Sequence, residues 1–596
     1  MSSFFQQNKV AVAVTAVLGV GTLAGIVYYL NKQSSESTPT TSSSVKKNKK
    51  KKKNSKSGSS DFKVKQDTDA AIYPIDETTK LPKITDEIVA SLSEEQKEAW
   101  ALALKEKGNE YFKAKQYETA IVYYSAALKC KKDHIFYGNR SACYYALNDT
   151  EKTIEDATKA LEIKPDYSKC LLRRAHVYED IGRYEDAMLD LTSLSIFSGL
   201  ADKSSDSVLE RVLVKQANKM NEENYSDLPK ELPSSSSINS FLGAFVKEDI
   251  DLDESKYEAD SGYLFLIKAL NAINLDTDEG YESADTYLNQ AVERFEKLDI
   301  NSLTPEQKNL VAIAYEYLGI FAFMKTLKNA KDYVEKAISI SPRPRMYVVL
   351  ALIAADNGDY ITADLEFTKA IKMNPEDPNI YYHYAQVYYL MGDLTKAQSN
   401  FEKAKTLNPD NVYSYIQLAC ITYRQNDINQ CLKKFNQAKA LFPTCPEIPN
   451  YYGEILFDKG DIEGASKQFD VAIKLQKALP GNNIGVLPLI NKSVVFQKEN
   501  DFAKCQTILE EAVKIDPKSE VAWTNLGQTY LMMQNYPSAM ECFEKASYLC
   551  RTAEDRKQTL ALYESAKIQE KIRQDPVLSK KMHEIIAQYS QQAMQM

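Results

Sequence analysis

Chemistry-bearing residues are scarce. The 596 residues include four histidines (134, 176, 383 and 583) and two tryptophans, and no histidine stands near a nucleophile pattern. No glycine-rich phosphate loop is present, and no leftover stretch is large enough for a separate catalytic domain. Catalysis is therefore not expected, and neither is a cofactor. The nine cysteines (130, 143, 170, 420, 431, 445, 505, 542 and 550) form no CxxC pair. They read as buried or idle thiols of a reducing compartment rather than as disulfides or metal ligands, so no metal site is expected. Glycine and proline number only 20 each, while alanine, lysine, glutamate and the 38 tyrosines are plentiful, which favours helix over sheet. A chain this long holds two or three folded units.

Charge is absent from Val10–Leu30, a run of 21 positions that ends in Tyr28 and Tyr29. That is long enough to cross a bilayer, and the tyrosines fall where an interfacial belt belongs. The run exceeds the apolar region of a signal peptide and no small-x-small cleavage site follows, so a retained anchor is expected. Gly21 and Gly25 make a GxxxG spacing that reflects small-residue composition more than a packing motif. Lys9 precedes the run, whereas Lys32, Lys46, Lys47 and Lys49 to Lys53 follow it, which puts the carboxyl-terminal bulk in the cytosol. The lysine run could also meet anionic lipid headgroups; a nuclear-localisation reading suits a membrane-held chain poorly. The first 60 residues carry ten lysines and one glutamate, net +9, so with −8 overall the remainder carries −17. An acidic folded part argues against nucleic acid as a partner. Residues 31–92 read as a flexible Ser/Lys-rich tether.

Beyond the tether the chain repeats itself. Ala120, Thr153 and Ala187 lie 33 and 34 residues apart. Ala363, Ala397, Cys431 and Ala465 are 34 apart, as are Ala370, Ala404, Ala438 and Ala472, and Pro375, Pro409 and Pro443 keep the same period. This is the period of tetratricopeptide (TPR) repeats. Leu104, Gly108, Tyr111, Ala120, Tyr124 and Ala127 fit that signature, with Pro165 closing the second repeat. Irregular repeats surround Ala284 and Ala330; after an insertion at 479–488, Cys505 and Ala539 mark two more, with Pro517 between. The expectation is an all-α TPR superhelix of about eleven repeats behind one transmembrane helix. Its parts are a short segment 1–9, an anchor 10–30, the tether 31–92, and a three-repeat module 93–200. A linker 201–255 follows, with one helix at Val208–Asn221 and an apolar knot of Phe241, Leu242 and Phe245 that is partly buried beside its own repeats. An eight-repeat module 256–551 and a helical cap 552–596 complete the chain.

Repeat positions 2, 5, 6 and 9 line the inner surface of such a stack. In the first module, from Trp100 to about Ser198, they include Lys105, Asn109, Asn139, Lys169 and Arg173. Two cations four residues apart on one helix face repel mildly, by a few tenths of a kcal/mol; an anionic ligand reverses that sign. Three cations and two amides suit paired carboxylates, because hydrogen bonds to charged groups contribute about 1.5–3 kcal/mol each. Any one of these residues alone reads as an ordinary solvated side chain; five in register do not.

Lys105-x-x-x-Asn109, Asn139 within Tyr-Gly-Asn-Arg-Ser-Ala, and Lys169-x-x-x-Arg173 resemble the dicarboxylate clamp of TPR co-chaperones. That resemblance implies binding of the Glu-Glu-Val-Asp carboxyl terminus of cytosolic heat-shock chaperones of the seventy- and ninety-kilodalton classes. The chain as a whole carries an anchor, a lysine-rich tether, three clamp repeats, Ser-Phe-Leu-Gly-Ala-Phe, eight repeats, and Asp-Pro-Val-Leu-Ser-Lys-Lys near the end. It resembles the large TPR preprotein receptors of the mitochondrial outer-membrane translocase (TOM), the seventy-kilodalton class in its fungal form. This implies mitochondrial precursors, especially hydrophobic carriers with internal targeting signals, and other TOM subunits as partners.

In the second module the same register points Tyr382, Gln386, Tyr389, Ile416, Cys420, Tyr423, Tyr451, Glu454 and Phe457 at a groove. A groove that is aromatic, partly apolar and nearly uncharged suits a hydrophobic peptide; packing against adjacent helices is the alternative for each. His383 reads as a surface or packing residue. A membrane-anchored co-chaperone or scaffold at another organelle, such as the endoplasmic reticulum, would use the same clamp without a cargo groove.

Overall fold

The computed structural model describes residues 71–199, 205–479 and 484–595; the expected anchor at Val10–Leu30 and most of the tether lie outside them. Among the described residues there are 27 α-helices, and the only β-pairing is an isolated antiparallel bridge between Ile75 and Pro82. None of these helices is long and apolar enough to cross a membrane. The chain divides into two compact units. One holds the described residues up to 222 together with those from 561 onward; the other holds 223–560.

The first unit opens with α1 (Asp86–Ala90) and continues in three antiparallel pairs. These are α2 (Glu94–Lys113) with α3 (Tyr117–Cys130), α4 (His134–Ala146) with α5 (Thr150–Ile163), and α6 (Ser168–Asp180) with α7 (Tyr184–Phe197). Helix α8 (Asp206–Tyr225) follows. Starts are encoded locally: Ser93 and Gln96 form a reciprocal capping box, and Asp133 and Asp149 accept from Ile135 N and Lys152 N. Pro165 stands two residues past the end of α5, where it cannot continue the helix. Ala120, Thr153 and Ala187, the residues that set the period, are fully buried where second helices cross first ones.

Order begins earlier than composition suggests. Residues 71–92, assigned above to the tether, are folded: Tyr73 and Ile84 are buried in the core of the first pair. Thr78 N and Thr79 N donate to Asp76 Oδ1 (3.0 and 2.8 Å), turning the chain back, and Lys129 Nζ reaches Ile84 O (3.0 Å). Two buried side chains and one Asx turn hold a segment whose average composition is polar.

In the second unit come α9 (Ser235–Leu242) and eight hairpins. Their first helices are α10 (Gly262–Ile273), α12 (Pro305–Met324), α14 (Pro344–Asp356), α16 (Pro378–Leu390), α18 (Val412–Arg424), α20 (Glu447–Asp458), α22 (Leu487–Lys498) and α24 (Glu520–Met532). The second helices are α11 (Asp278–Phe295), α13 (Ala330–Ile340), α15 (Tyr360–Met373), α17 (Leu394–Leu407), α19 (Ile428–Leu441), α21 (Ile462–Ala478), α23 (Phe502–Ile515) and α25 (Tyr536–Leu549). Three hairpins and eight make the eleven repeats expected. Asp359, Asp393, Asp427 and Asp461, 34 apart, each cap a second helix through their side chains. Phe367, Phe401, Phe435 and Phe469 repeat at the same interval and are fully buried.

Two boundaries are corrected. Residues 201–255 are not simply a linker. The expected helix runs Asp206–Tyr225, and the apolar knot belongs to a second helix, α9, whose Ile238 is buried and whose neighbour Phe245 sits in the core of the second unit. The tail is not only a cap on the repeat array. It forms α26 (Ala553–Gln574) and α27 (Pro576–Gln595), and from Ala561 it belongs to the first unit, where α27 packs against α7 and Lys567 pairs with Glu185 (2.7 Å). Leu562, Ala566, Ile568 and Ile572 recur at helical spacing and are buried, which a polar average conceals.

In several hairpins the first helix approaches the second at a glycine. A Cβ on Gly108 would lie 2.7 Å from the Tyr124 ring, and one on Gly453 2.6 Å from Phe469. Alanine at an exposed helical glycine gains up to about 1 kcal/mol. Here the fully buried Phe469 ring has nowhere to go, and overpacking costs about 1–3 kcal/mol. Gly453→Ala is therefore expected to lower the thermal midpoint of the chain, and an unchanged or raised midpoint would contradict the close approach.

Candidate peptide-binding sites

The inner face of the first unit is built from α2, α4 and α6, consecutive first helices. Lys105 on α2 pairs with Glu106 (2.7 Å), and Asn109 one turn on donates to the same carboxylate (3.4 Å). Asn109 Oδ1 accepts from Tyr124 Oη (2.8 Å) and from Asn139 Nδ2 on α4 (3.2 Å). Next to Asn139, the Gly138 carbonyl accepts from Arg173 Nη1 on α6 (2.9 Å), and Lys169 lies one turn before Arg173, exposed. All five expected residues thus fall along one line crossing three helices, joined by hydrogen bonds except at Lys169. Glu106 was not singled out from sequence, and Tyr124 was read there only as part of the repeat signature. Glu106 stands in for an anion at Lys105, which holds its carboxyl below the usual range, and Tyr124 fixes the Asn109 amide with its oxygen turned inward.

Behind this line, two guanidiniums tie the hairpins together. Arg140 grips Asp156 through both oxygens (2.7 Å each) and Ser125; Arg174 grips Asp190 (2.8 and 2.7 Å) and Thr158. Asp156 and Asp190 are buried, so removing either arginine strands a charge. Glu179, at the end of α6, accepts from Arg211 and Lys215 of α8, which hold its carboxyl down at about 2.

In the second unit, α12, α14, α16, α18 and α20 with α9 and Arg551 surround a cavity of about 500 Å³. Four of the nine groove residues expected from sequence line it: Gln386, Tyr389, Cys420 and Tyr451. The other five are elsewhere. Tyr382 is fully buried, edge-on to Phe401 at 5.5 Å; Ile416 lies in the core beside Phe435. Glu454, also fully buried, accepts from Asn450 (3.2 Å) and Asn491 (2.8 Å). The Tyr423 hydroxyl donates to Asp458, and Phe457 packs with the cluster around Phe469 and Val495. For these five the packing alternative holds, because the next hairpin covers part of every first helix. His383, read as a surface or packing residue, packs: it is 2% exposed and lines the cavity. Burial pushes its imidazole down to about 3, so it is neutral. Its Nδ1 lies 3.0 Å from Gln386 Oε1, whose own NH₂ faces Tyr382 Oη (3.2 Å), which leaves Nδ1 as donor and Nε2 as a bare acceptor. Among the described residues no cluster of His, Cys, Asp or Glu could hold a metal ion.

Stacked helical hairpins at this period, with a donor-lined face in one unit and an aromatic-walled cavity in the other, define a TPR protein. Profiles described as tetratricopeptide repeat match residues 366–399 and 508–541, and a second set 136–167 and 344–377. The curated relative "Mitochondrial import receptor subunit TOM70" of Saccharomyces cerevisiae is 37% identical over 551 residues, 88% of each chain. The human protein of that name is 24% identical over 497 residues, 79% of this chain and 80% of that one. The crystal structure of yeast Tom70 superposes with a TM-score of 0.56 at 40% identity, covering 82% of this chain and all of that one. The chain belongs to the TOM70 family of mitochondrial import receptor subunits.

The ion cluster that docks α8 has a pH signature. Because the Glu179 carboxyl is depressed when folded, its contribution to stability is complete above the unfolded value of about 4.3 and is lost as pH falls toward about 2. Glu179→Gln should therefore lower the thermal midpoint at pH 7 and by progressively less between pH 4.5 and 2.5. A difference that stays constant across that window contradicts the pairing.

Proposed function

We propose that this import receptor is held in the mitochondrial outer membrane by Val10–Leu30, with its bulk in the cytosol, and works by binding rather than by catalysis. The first unit docks cytosolic heat-shock chaperones of the seventy- and ninety-kilodalton classes by their Glu-Glu-Val-Asp carboxyl termini. The second takes internal targeting signals of hydrophobic, carrier-type precursors and hands them to the translocase pore. The observation that carries the docking reading is the placement of Lys105, Asn109, Asn139 and Arg173 on one face across three helices, linked by hydrogen bonds through Glu106 and the Gly138 carbonyl, with Lys169 exposed one turn before Arg173. Side-chain N–H groups converge there, and the one carboxylate among them, Glu106, is exposed and easily displaced from Lys105 by a ligand's own. A short match to a protein named for heat shock agrees with it: 41% identity over 85 residues to "Heat shock protein sti1 homolog" of Schizosaccharomyces pombe, 14% of each chain. The cargo reading is supported by the aromatic walls at Tyr389, Tyr451 and Phe323, with charge confined to Asp356 and Arg551.

Arg173→Ala is expected to weaken binding of a Glu-Glu-Val-Asp peptide by roughly 10- to 150-fold, the equivalent of one charge-assisted contact of about 1.5–3 kcal/mol. The helical circular dichroism should stay unchanged. Calorimetric titration of the full chain measures the peptide; equal affinity in wild type and variant would remove the docking assignment.

A further inference from the structure

The segment 234–246 sits in the second unit as a bound peptide would. Its amino end is held by two carboxylates from opposite ends of the repeat array: Ser235 N and Oγ donate to Asp278 (2.8 and 3.1 Å), and Ser236 Oγ to Asp516 (3.4 Å). Its middle is aromatic. The Phe245 ring lies 4.1 Å from the His383 imidazole, and Phe241, one turn earlier, 6.0 Å from Phe323. Past it, Val246 N donates to Asn379 Oδ1 (2.9 Å). These are the parts of a helix-in-groove complex: two aromatic anchors four residues apart, Phe241 on α9 and Phe245 on the turn that closes it (Phe245 N to Leu242 O, 2.9 Å), with main-chain polar groups fixed at both ends.

The fit is incomplete on the side that faces the cavity. Beside Phe241 about 500 Å³ remains open, bounded by His383 and Arg551. His383 Nε2, almost wholly buried, has no hydrogen-bond partner, and neither has Arg551 Nε. A segment selected only to fill a core would leave neither the space nor an unmet acceptor and an unmet donor on its rim. A longer or bulkier peptide, offering a main-chain N–H to His383 and a carbonyl to Arg551, would satisfy both.

We propose that residues 234–246 are an internal occupant of the cargo groove, displaced by a peptide helix that carries two large aromatic or aliphatic residues one turn apart. This rests on the cargo reading of the second unit given above, and adds both the class of signal and the competitor it must expel. Emptying the groove strengthens binding, whereas the same changes in a purely structural segment only destabilise.

The test uses the full chain in two variants. Phe241→Ala/Phe245→Ala removes the anchors, and Ser235→Glu/Ser236→Glu sets negative charge against Asp278 and Asp516 without touching the rings. The probe is a fluorescein-labelled synthetic peptide of residues 233–247, followed by anisotropy; a radiolabelled carrier-type precursor is measured in parallel. Both variants should bind the peptide at least tenfold more tightly than wild type and capture several-fold more precursor. Peptide binding that is equally weak in all three proteins, or loss of helical structure in both variants, overturns the proposal. Peptide capture by the variants with no precursor capture by any protein upholds the internal occupant and removes the cargo reading instead.

Discussion

In each TPR hairpin two helices approach until a small residue on one meets a large side chain on the other. Gly108 faces Tyr124, Gly262 faces Phe295, Gly453 faces Phe469 and Gly527 faces Phe543. Nothing larger than hydrogen fits there, so the helix separation is set by sterics rather than by the average strength of apolar contact. Once the helices are that close, the face of the first helix turned away from its partner is the one left to line a concave surface. Both candidate sites depend on this, since Lys105, Asn109, Asn139, Lys169 and Arg173 in one and Gln386, Tyr389, Cys420 and Tyr451 in the other are carried on first helices whose direction the close contact determines.

The two units use that surface with opposite chemistry. In the first, buried pairs stand behind the cations and amides: Arg140 with Asp156 and Arg174 with Asp190 lock each hairpin, and the same guanidiniums reach Ser125 and Thr158 of the hairpin before, while Lys169 stays exposed and Arg173 only partly engaged. In the second, tyrosines and phenylalanines dominate the cavity wall, with Asp356 and Arg551 its charged members, and another charge cluster lies buried. Glu316 sits fully enclosed against Arg343 and Arg345, with Glu248 completing a balanced cluster. Such a network stabilises little in net terms, yet removing one member leaves a stranded charge, so it fixes the strand of chain after α9 in one place.

Much of the fold was legible because TPR packing repeats at a fixed interval. Ala363 to Ala465 and Pro375 to Pro443 declare the period, and every one of the alanines is buried in the structure. The donor line was legible for the same reason: its residues are placed by position within a repeat. Non-repeating segments were not legible. Residues 71–92 and 228–246 look like linker by composition, yet Tyr73, Ile84, Ile238 and Phe245 are buried. A few apolar residues among serines carry no periodicity, and what buries them is a surface made by distant hairpins.

By itself the sequence determined the helix class, the repeat count, the helix caps and stops, and which side chains share a face, all of which are local or periodic properties. The tertiary structure alone decided that Tyr382, Ile416 and Glu454 turn into packing while Gln386, Tyr389, Cys420 and Tyr451 line the cavity. It also decided that Glu106 occupies the cation of the donor line and that Phe241 and Phe245 lie against His383. The physical reason is one of range. Helix propensity and spacing act over a few residues, whereas burial depends on which hairpin covers which, and Ser236 meets Asp516 across 280 residues of chain.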